Sequence, residues 1–157
     1  MKRIPMFLQL TEQPPTQCHA NRQVRDSDAR ELAILLYAAF RATIDDEGDS
    51  FADATREIEK TFAGQYGRLL SDCSFVIEGK DALLSACLIS WYEPSACPLV
   101  VFTMTHPLFK RQGMARCLLT RSIHALAQRG YSRLELIVTK GNTPAESLYT
   151  SLGFLPI

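Results

Sequence analysis

The sequence has no excess of charge of either sign and no long hydrophobic run. Among its 157 residues, 17 Lys and Arg balance 17 Asp and Glu, so the net charge does not favour a nucleic-acid partner. The apolar run that begins at Arg3 is interrupted by Gln9, and no small-residue cleavage site follows it in register. We therefore predict neither a signal peptide nor a membrane span.

Cysteine is scarce and irregularly spaced. The five cysteines are odd in number, form no C-x-x-C motif and mostly lie in apolar runs: Cys18, Cys73, Cys87, Cys97 and Cys117. This distribution is typical of small core residues in a reducing compartment, so we expect free thiols and a cytoplasmic location. A chain of this length buries a core without help from disulfides or metals, and we expect no metal site.

The composition, 46% hydrophobic and 22% charged, is that of an ordinary globular protein with one main domain. Residues 1–22 differ from the rest. The alternating run "RIPMFLQL" predicts an added strand, and "TEQPPTQ" predicts a linker. The main domain is expected over residues 23–157.

Hydrophobic periodicity predicts the order of strands and helices in this main domain. A short strand precedes a helix that begins near Asp28, with Glu31 three residues later in capping-box spacing. A second helix is predicted over 51–62, a β-hairpin turns at 79–81, and "PLVVFTMT" is typical of a central strand. A helix over 113–129, the strand "RLELIVT" and a helix with Thr143 as N-cap complete the order.

The stretch "HPLFKRQGMARCLL" places basic residues around the start of the helix at 113–129. A helix N-terminus attracts anions because its first N–H groups are unpaired and its dipole is positive there. Gly113 allows a ligand to approach the backbone, and Ala115 leaves room beside it. These features predict a site for a diphosphate-like anion, with a solvated helix start as the alternative. The P-loop and Rossmann glycine patterns are absent.

A second stretch, "GNTPAESLYTSLGF", follows in the next strand-to-helix connection, as expected of a βαβ step. Together, "LVVFTMT", "HPLFKRQGMARCLL", "LELIVT" and this stretch resemble the GNAT superfamily of acyl-CoA-dependent N-acetyltransferases. The resemblance is specific from Leu99 to Phe154 and only topological from Gln23 to Glu93. It implies an α/β fold of the α+β three-layer type, with a mixed, mostly antiparallel, splayed sheet flanked by helices.

The resemblance also implies acetyl-CoA (coenzyme A) as the cofactor and a place for it. The pantetheine would lie in the splay, against the backbone of Thr103, Met104 and Thr105. The pyrophosphate would lie at the helix start, on Arg111, Gln112, Gly113, Met114, Ala115 and Arg116. The family pattern Q/R-x-x-G-x-G/A maps onto Lys110, Gly113 and Ala115. The first position departs from the pattern, since lysine replaces glutamine or arginine there, but lysine can still contact phosphate as a point charge.

Two residues of the second stretch match the family's motif. Asn142 would bond the cofactor arm, and Tyr149 would face the sulfur as a general acid. A tyrosine with a pKa near 10 stays protonated at neutral pH and is close enough to a thiol near 8.5 to protonate its thiolate. The alternative for Tyr149 is a core aromatic residue.

The general base is not fixed by the sequence. Many family members carry a glutamate five residues before the asparagine, where this chain has Ile137. Glu93 and His106 are the candidates. Glu135 lies two residues before Ile137 on the same face of the strand but is too distant to be assigned the role, and a water relay is the alternative.

The acceptor amine is expected near the first two helices. Their connecting loop carries Asp45, Asp46 and Glu47, which would steer a cationic amine, with a solvated loop as the alternative. Trp91 and Tyr92 would line an acceptor pocket, with a core role as the alternative. The expected acceptor is the amine of a small molecule or of a peptide.

The chain stops three residues after Phe154, whereas family members usually add two more strands, so we expect shortened C-terminal strands. We therefore expect residues 3–10, or a partner subunit in a homodimer, to cover the exposed sheet edge. The function predicted is direct acetyl transfer to a primary amine. The alternatives are a noncatalytic acyl-CoA-binding sensor or partner-binding module, and a nucleotide-binding regulatory domain.

Overall fold

The computed structural model describes residues 2–41 and 43–157. Its strands are β1 (Arg3–Gln9), β2 (Arg22–Gln23), β3 (Phe75–Glu78), β4 (Leu83–Tyr92), β5 (Cys97–Thr105), β6 (Arg133–Thr139) and β7 (Leu155–Pro156). Its α-helices are α1 (Ala29–Phe40), α2 (Phe51–Phe62), α3 (Met114–Gln128) and α4 (Thr143–Ser151). The helices, hairpin and central strand predicted from the sequence are present.

The strands form one mixed sheet in the order β2-β3-β4-β5-β6-β1-β7. β5 and β6 are parallel, and the other neighbours are antiparallel. α3 connects the two parallel strands across one face of the sheet, as such a crossover requires. The predicted fold class is confirmed.

Two hydrophobic layers hold the helices on opposite faces of the sheet. α1 packs on β4 and β5, and α2 packs on α1; Leu32, Leu36 and Ile58 are buried in this layer. α3 and α4 pack on the other face, where Leu118 and Phe154 are almost fully buried. Among the described residues, no helix is both long and apolar enough to cross a membrane.

The N-terminal run is a strand, as predicted. All seven residues of β1 pair with β6, from Arg3 opposite Thr139 to Gln9 opposite Arg133. β7 then pairs with the other edge of β1 at Met6 and Phe7. The edge of β6 is thus covered by this chain's own N-terminus. The division of the chain at residue 22 and the homodimer stay predictions.

The expectation that all five cysteines are free is wrong. Cys18 and Cys117 form a disulfide that ties the linker after β1 to the first turns of α3. The sequence concealed this pair because its members are 99 residues apart and lie in unlike segments. Cys73, Cys87 and Cys97 are free and buried, as expected.

Two helix starts differ from the predicted ones. The Asp28 carboxylate accepts hydrogen bonds from the backbone N–H of Arg25 (2.8 Å) and from the Arg22 guanidinium, so it forms no capping box with Glu31. At α4 the N-cap is Asn142 rather than Thr143, because Asn142 Oδ1 accepts from the backbone N–H of Ala145 at 3.4 Å.

Candidate active site

The sheet opens between its two parallel strands. β5 and β6 are joined at one described residue pair, Leu99 with Glu135, and then separate toward their C-terminal ends. β5 also carries a bulge: Leu88 pairs with Phe102 and Ile89 with Val100, which leaves Val101 as an extra residue. Beyond Leu99, the edge of β5 that faces β6 therefore has backbone groups free for a ligand.

The start of α3 lies at the open end of this cleft and is uncapped. Gly113 is the N-cap with φ 78°, and within residues 2–41 and 43–157 no side-chain hydrogen bond caps the helix. A Cβ at Gly113 would meet nothing within 4 Å, so there is open space in front of this backbone. Arg111 also has a positive φ of 64°, a strained conformation typical of ligand-binding turns. These features suit an anion.

The basic side chains around the helix start differ in their freedom. Lys110 and Arg111 are exposed. Arg116 reaches α4, where it donates a hydrogen bond to Ser151 Oγ at 2.6 Å. The backbone oxygen of Gln112 lies 2.6 Å from His19 Nε2 on the linker, a contact that the sequence did not predict. Ala115 is half-buried and Met114 is buried, so both belong to the packed side of the helix.

The last residues of β5 form one wall of the cleft. Met104 is buried against the α1 and α2 layer. Thr105 Oγ1 lies 2.9 Å from Ser85 Oγ and is thereby anchored to β4. Thr103 Oγ1 is buried and has no hydrogen bond of good geometry among the described atoms. It lies beside the Tyr149 phenol and the Cys87 thiol, where it opposes the rise in both pKa values, so Thr103 places β5 next to Tyr149.

Tyr149 projects from α4 into the same region. The residue is 9% exposed and its ring contacts Phe154 edge-on at 5.9 Å between centroids. Burial raises the pKa of the Tyr149 phenol above its usual value; the Thr103 hydroxyl opposes this shift, and Cys87 and Asp45 add to it. The phenol is therefore held protonated beside β5, as a proton donor requires.

The acidic loop between α1 and α2 reaches the far wall of the cleft. Asp45 Oδ1 accepts a hydrogen bond from Thr139 Oγ1 at 2.7 Å, at the end of β6. Asp45 Oδ2 accepts from Asn142 Nδ2 at 3.2 Å. Asn142 thus serves both Asp45 and the cap of α4. No periodic signal in the sequence indicates this contact, because its partners are more than 90 residues apart.

The remaining candidates are not gathered at this end of the cleft. Trp91 and Tyr92 pair with Pro98 and Cys97 at the start of β5, and Glu93 follows them. Trp91 Nε1 donates to Glu93 Oε1 at 3.0 Å. Their predicted roles find no support in this placement and stay predictions.

His106 lies at the end of β5, where its Nδ1 accepts from the backbone N–H of Leu108 at 3.2 Å and caps the short turn 107–109. Asp46 and Glu47 are exposed in the acidic loop. Their predicted roles also stay predictions.

Two residues of β6 decide what faces the cleft below Asp45. Ile137 is 46% exposed, so an aliphatic side chain stands where the resemblance expected a carboxylate. Glu135 is 6% exposed and receives a hydrogen bond from Arg133 Nε at 2.8 Å. Although burial by itself raises the pKa of Glu135, hydrogen bonds led by that of Arg133 lower it below its usual value.

Comparison with known proteins finds similarity to acetyltransferases by family model and by individual relatives. A family model described as the acetyltransferase (GNAT) family matches residues 35–154. The [ribosomal protein bS18]-alanine N-acetyltransferase of Escherichia coli K12 is 34% identical over 96 residues, covering 61% of this chain and 62% of that enzyme. The enzyme of the same name from Haemophilus ducreyi is 50% identical over 48 residues, covering 31% of this chain and 33% of that enzyme. The match thus spans less than two thirds of these relatives.

Solved structures share the fold. A GCN5-related N-acetyltransferase from Sphaerobacter thermophilus has a TM-score of 0.74 at 17% identity, over 99% of this chain and 48% of that chain. The ribosomal-protein-S18-alanine N-acetyltransferase of Escherichia coli has a TM-score of 0.64 at 24% identity, over 85% of this chain and 76% of that chain.

Proposed function

The chain belongs to the GNAT family of acetyltransferases, and on this premise we propose that it transfers an acetyl group from acetyl-CoA directly to a primary amine. The observation that carries the proposal is the cleft between β5 and β6, which runs from Leu99 to the uncapped start of α3. It joins an open strand edge, suited to an amide-containing arm, to an anion site.

The residues present fit coenzyme A. The N–H groups at Gly113 and after it would hold the pyrophosphate, with Lys110 and Arg111 adding charge. The backbone of residues 103–105 would bond the pantetheine arm, because the edge of β5 that faces β6 is unpaired beyond Leu99. Asn142 would join them after its amide is released from Asp45.

Acetyl-CoA supplies the acetyl group as a thioester, so the amine forms the new C–N bond, the C–S bond breaks, and one proton moves from nitrogen to sulfur. Tyr149 is the proposed donor of the sulfur's proton, and its raised pKa keeps the phenol in the protonated form that can donate. A cysteine nucleophile has no support, because burial raises the pKa of Cys73, Cys87 and Cys97 to about 11. Transfer is therefore direct.

The acceptor we favour is the N-terminal amine of a protein or peptide. The relatives are named as alanine N-acetyltransferases of a ribosomal protein. Because alanine has no amine in its side chain, this name supports the terminal amine of a protein or peptide over a small cationic amine. A ribosomal protein as acceptor would favour a cytoplasmic location, whereas the Cys18–Cys117 disulfide is of a kind found mainly in oxidising compartments.

A noncatalytic acyl-CoA-binding module is the second candidate. The observation that favours it is the exposed Ile137, an aliphatic side chain at the position on β6 where the resemblance implies a carboxylate. A nucleotide-binding regulatory domain is the third, since the start of α3 would accept other diphosphates.

Thermal unfolding in the presence of acetyl-CoA, CoA or ATP, followed by thiol release with amines, tests the proposal. Acetyl-CoA and CoA should raise the melting temperature. With acetyl-CoA present, acetylation of a peptide with N-terminal alanine should release the free thiol of CoA. Stabilisation by ATP alone would support the nucleotide-binding domain. Stabilisation by CoA, with no release of CoA thiol from acetyl-CoA in the presence of any peptide or polyamine, would support the noncatalytic module.

A further inference from the structure

Asp45 contacts the far wall of the cleft, a position that its place in the loop does not predict. It belongs to the loop between α1 and α2, yet its two carboxylate oxygens bond to Thr139 and Asn142 on the opposite wall. Ile44 comes with it, since a Cβ on Gly141 would lie 3.2 Å from Ile44 Cδ1. Two side chains thus fix the loop over the open end of the cleft.

The carboxylate keeps capacity for a further ligand. A carboxylate accepts about four hydrogen bonds, and Asp45 receives one on each oxygen. Both donors are neutral, and Asp45 takes part in none of the salt bridges of the described residues. Asp45 is only half-buried, so an incoming group can reach it. Its negative charge is therefore available to a cation.

Two other carboxylates near the cleft, Glu135 and Glu93, lack this combination. Glu135 is buried and its charge is already paired with Arg133. Glu93 is bonded to Trp91 at the start of β5, away from Tyr149. Asp45 instead accepts from Asn142, the N-cap of α4, which is the helix that carries Tyr149. The proposed proton acceptor and proton donor are thus both attached to α4.

We infer that Asp45 is a catalytic residue that binds the ammonium group of the acceptor and removes its first proton. The inference rests on the proposed function. One N–H bond of the ammonium breaks, an O–H bond forms on Asp45, and the nitrogen keeps the electron pair with which it attacks. The proton then passes from Asp45 to water. The loop would thereby supply the carboxylate that β6 lacks at Ile137.

The test compares Asp45→Asn with wild-type enzyme in steady-state thiol release, using a peptide with N-terminal alanine. Asparagine keeps an oxygen that accepts from Thr139 but has no charge and no proton affinity. We expect kcat/KM for the peptide to fall about 100-fold. The dissociation constant for CoA, measured by calorimetry, should change less than fivefold. Asp45→Glu should recover at least a tenth of the wild-type value.

Two control variants separate charge from structure. Thr139→Val removes the hydrogen bond that anchors the loop and leaves the Asp45 carboxylate in place, so its loss of kcat/KM should be at least tenfold smaller. Glu59→Gln removes one negative charge from the exposed side of α2 and should behave as wild type.

The outcomes are distinct from those of the proposed function. Turnover by Asp45→Asn equal to wild type would overturn the inference and leave the acetyltransferase proposal standing. Equal losses in Asp45→Asn and Thr139→Val would overturn it as well, because they would reduce Asp45 to a loop anchor. Wild-type enzyme that binds CoA but never releases thiol would instead contradict the proposed function.

Discussion

His19 and Gln112 join the N-terminal linker to the turn that precedes α3, with 2.6 Å between His19 Nε2 and the Gln112 backbone oxygen. The neighbouring disulfide fixes the linker to α3, because Cys117 lies on the first turns of that helix. Farther along α3, His124 Nδ1 lies 3.0 Å from the backbone oxygen of Gln13. The linker therefore follows α3 from its middle to the candidate anion site, and the disulfide is its covalent attachment.

We predict that Cys18→Ser lowers the free energy of unfolding by about 2 to 4 kcal/mol. The disulfide closes a loop between residues 99 apart, and its loss returns conformational freedom to the unfolded chain. Urea titration followed by circular dichroism measures the change. Reduction of the wild-type protein with dithiothreitol should produce the same loss, whereas the variant should not respond to the reductant. A variant as stable as the oxidised wild type would contradict the prediction.

Asp28 is predicted to make stability depend on pH in the acid range. Burial by itself raises the pKa of Asp28, but hydrogen bonds from Arg22 and from the backbone of Arg25 outweigh it and lower the pKa below its ordinary 3.8. Because the folded-state pKa is the lower one, the stabilisation is present above pH 3.8 and is lost as the pH falls through the folded value.

Asp28→Asn should therefore cost about 1.5 to 3 kcal/mol at neutral pH, the size of hydrogen bonds to a charged group. When the pH falls from about 5 to about 3, across the ordinary aspartate pKa, the melting temperature of Asp28→Asn should fall less than that of the wild type. Asp81→Asn, at an exposed position in the β3–β4 turn, is the matched control. Parallel pH profiles for wild type and Asp28→Asn would count against this assignment.

Gly113→Ala is predicted to weaken CoA binding about tenfold and to cost about 1 kcal/mol of stability. The stability cost arises because alanine must adopt a φ near 78°. The binding loss arises because the new methyl group enters the open space in front of the α3 N–H groups. Loss of one hydrogen bond to a charged phosphate is worth about 1.5 kcal/mol or more, which corresponds to about tenfold.

Gly130→Ala provides the comparison for Gly113→Ala. Gly130 follows the other end of α3 with φ 85°, and a Cβ there also meets nothing within 4 Å. Its stability cost should be similar, while its CoA affinity should remain that of the wild type. Calorimetric titration with CoA distinguishes the two variants, and equal affinities would remove Gly113 from the cofactor site.

Those parts of the candidate site whose position depends only on local sequence were predictable. Gly113 at the start of α3 and Tyr149 on α4 lie on elements whose periodicity and end signals are local, so their positions followed from the pattern. The position of β1 was also predictable, because an alternating apolar run needs a neighbour and the edge of β6 was open.

Contacts between distant loops were not predictable. Asp45 meets Thr139 and Asn142 through a loop with no hydrophobic period, and only the folded arrangement of α1 against the sheet determines where that loop ends. Competition for side chains also escaped prediction. The spacing of Asp28 and Glu31 favours a capping box, but Arg22 comes from β2 with a full charge and binds Asp28 instead.

Tyr149→Phe is predicted to lower kcat about 100-fold, within the range of general acid catalysis, while the dissociation constant for CoA changes less than twofold. Burial raises the pKa of this phenol above 10, so the proton that it donates stays in place through the neutral range. The kcat of the wild type should therefore show no alkaline decline from Tyr149 until the pH exceeds 10. Stopped assays of thiol release between pH 6 and about 10.5 measure both enzymes. A decline below pH 10 that disappears in Tyr149→Phe would contradict the direction of the shift, because it would mean that the folded protein favours the phenolate.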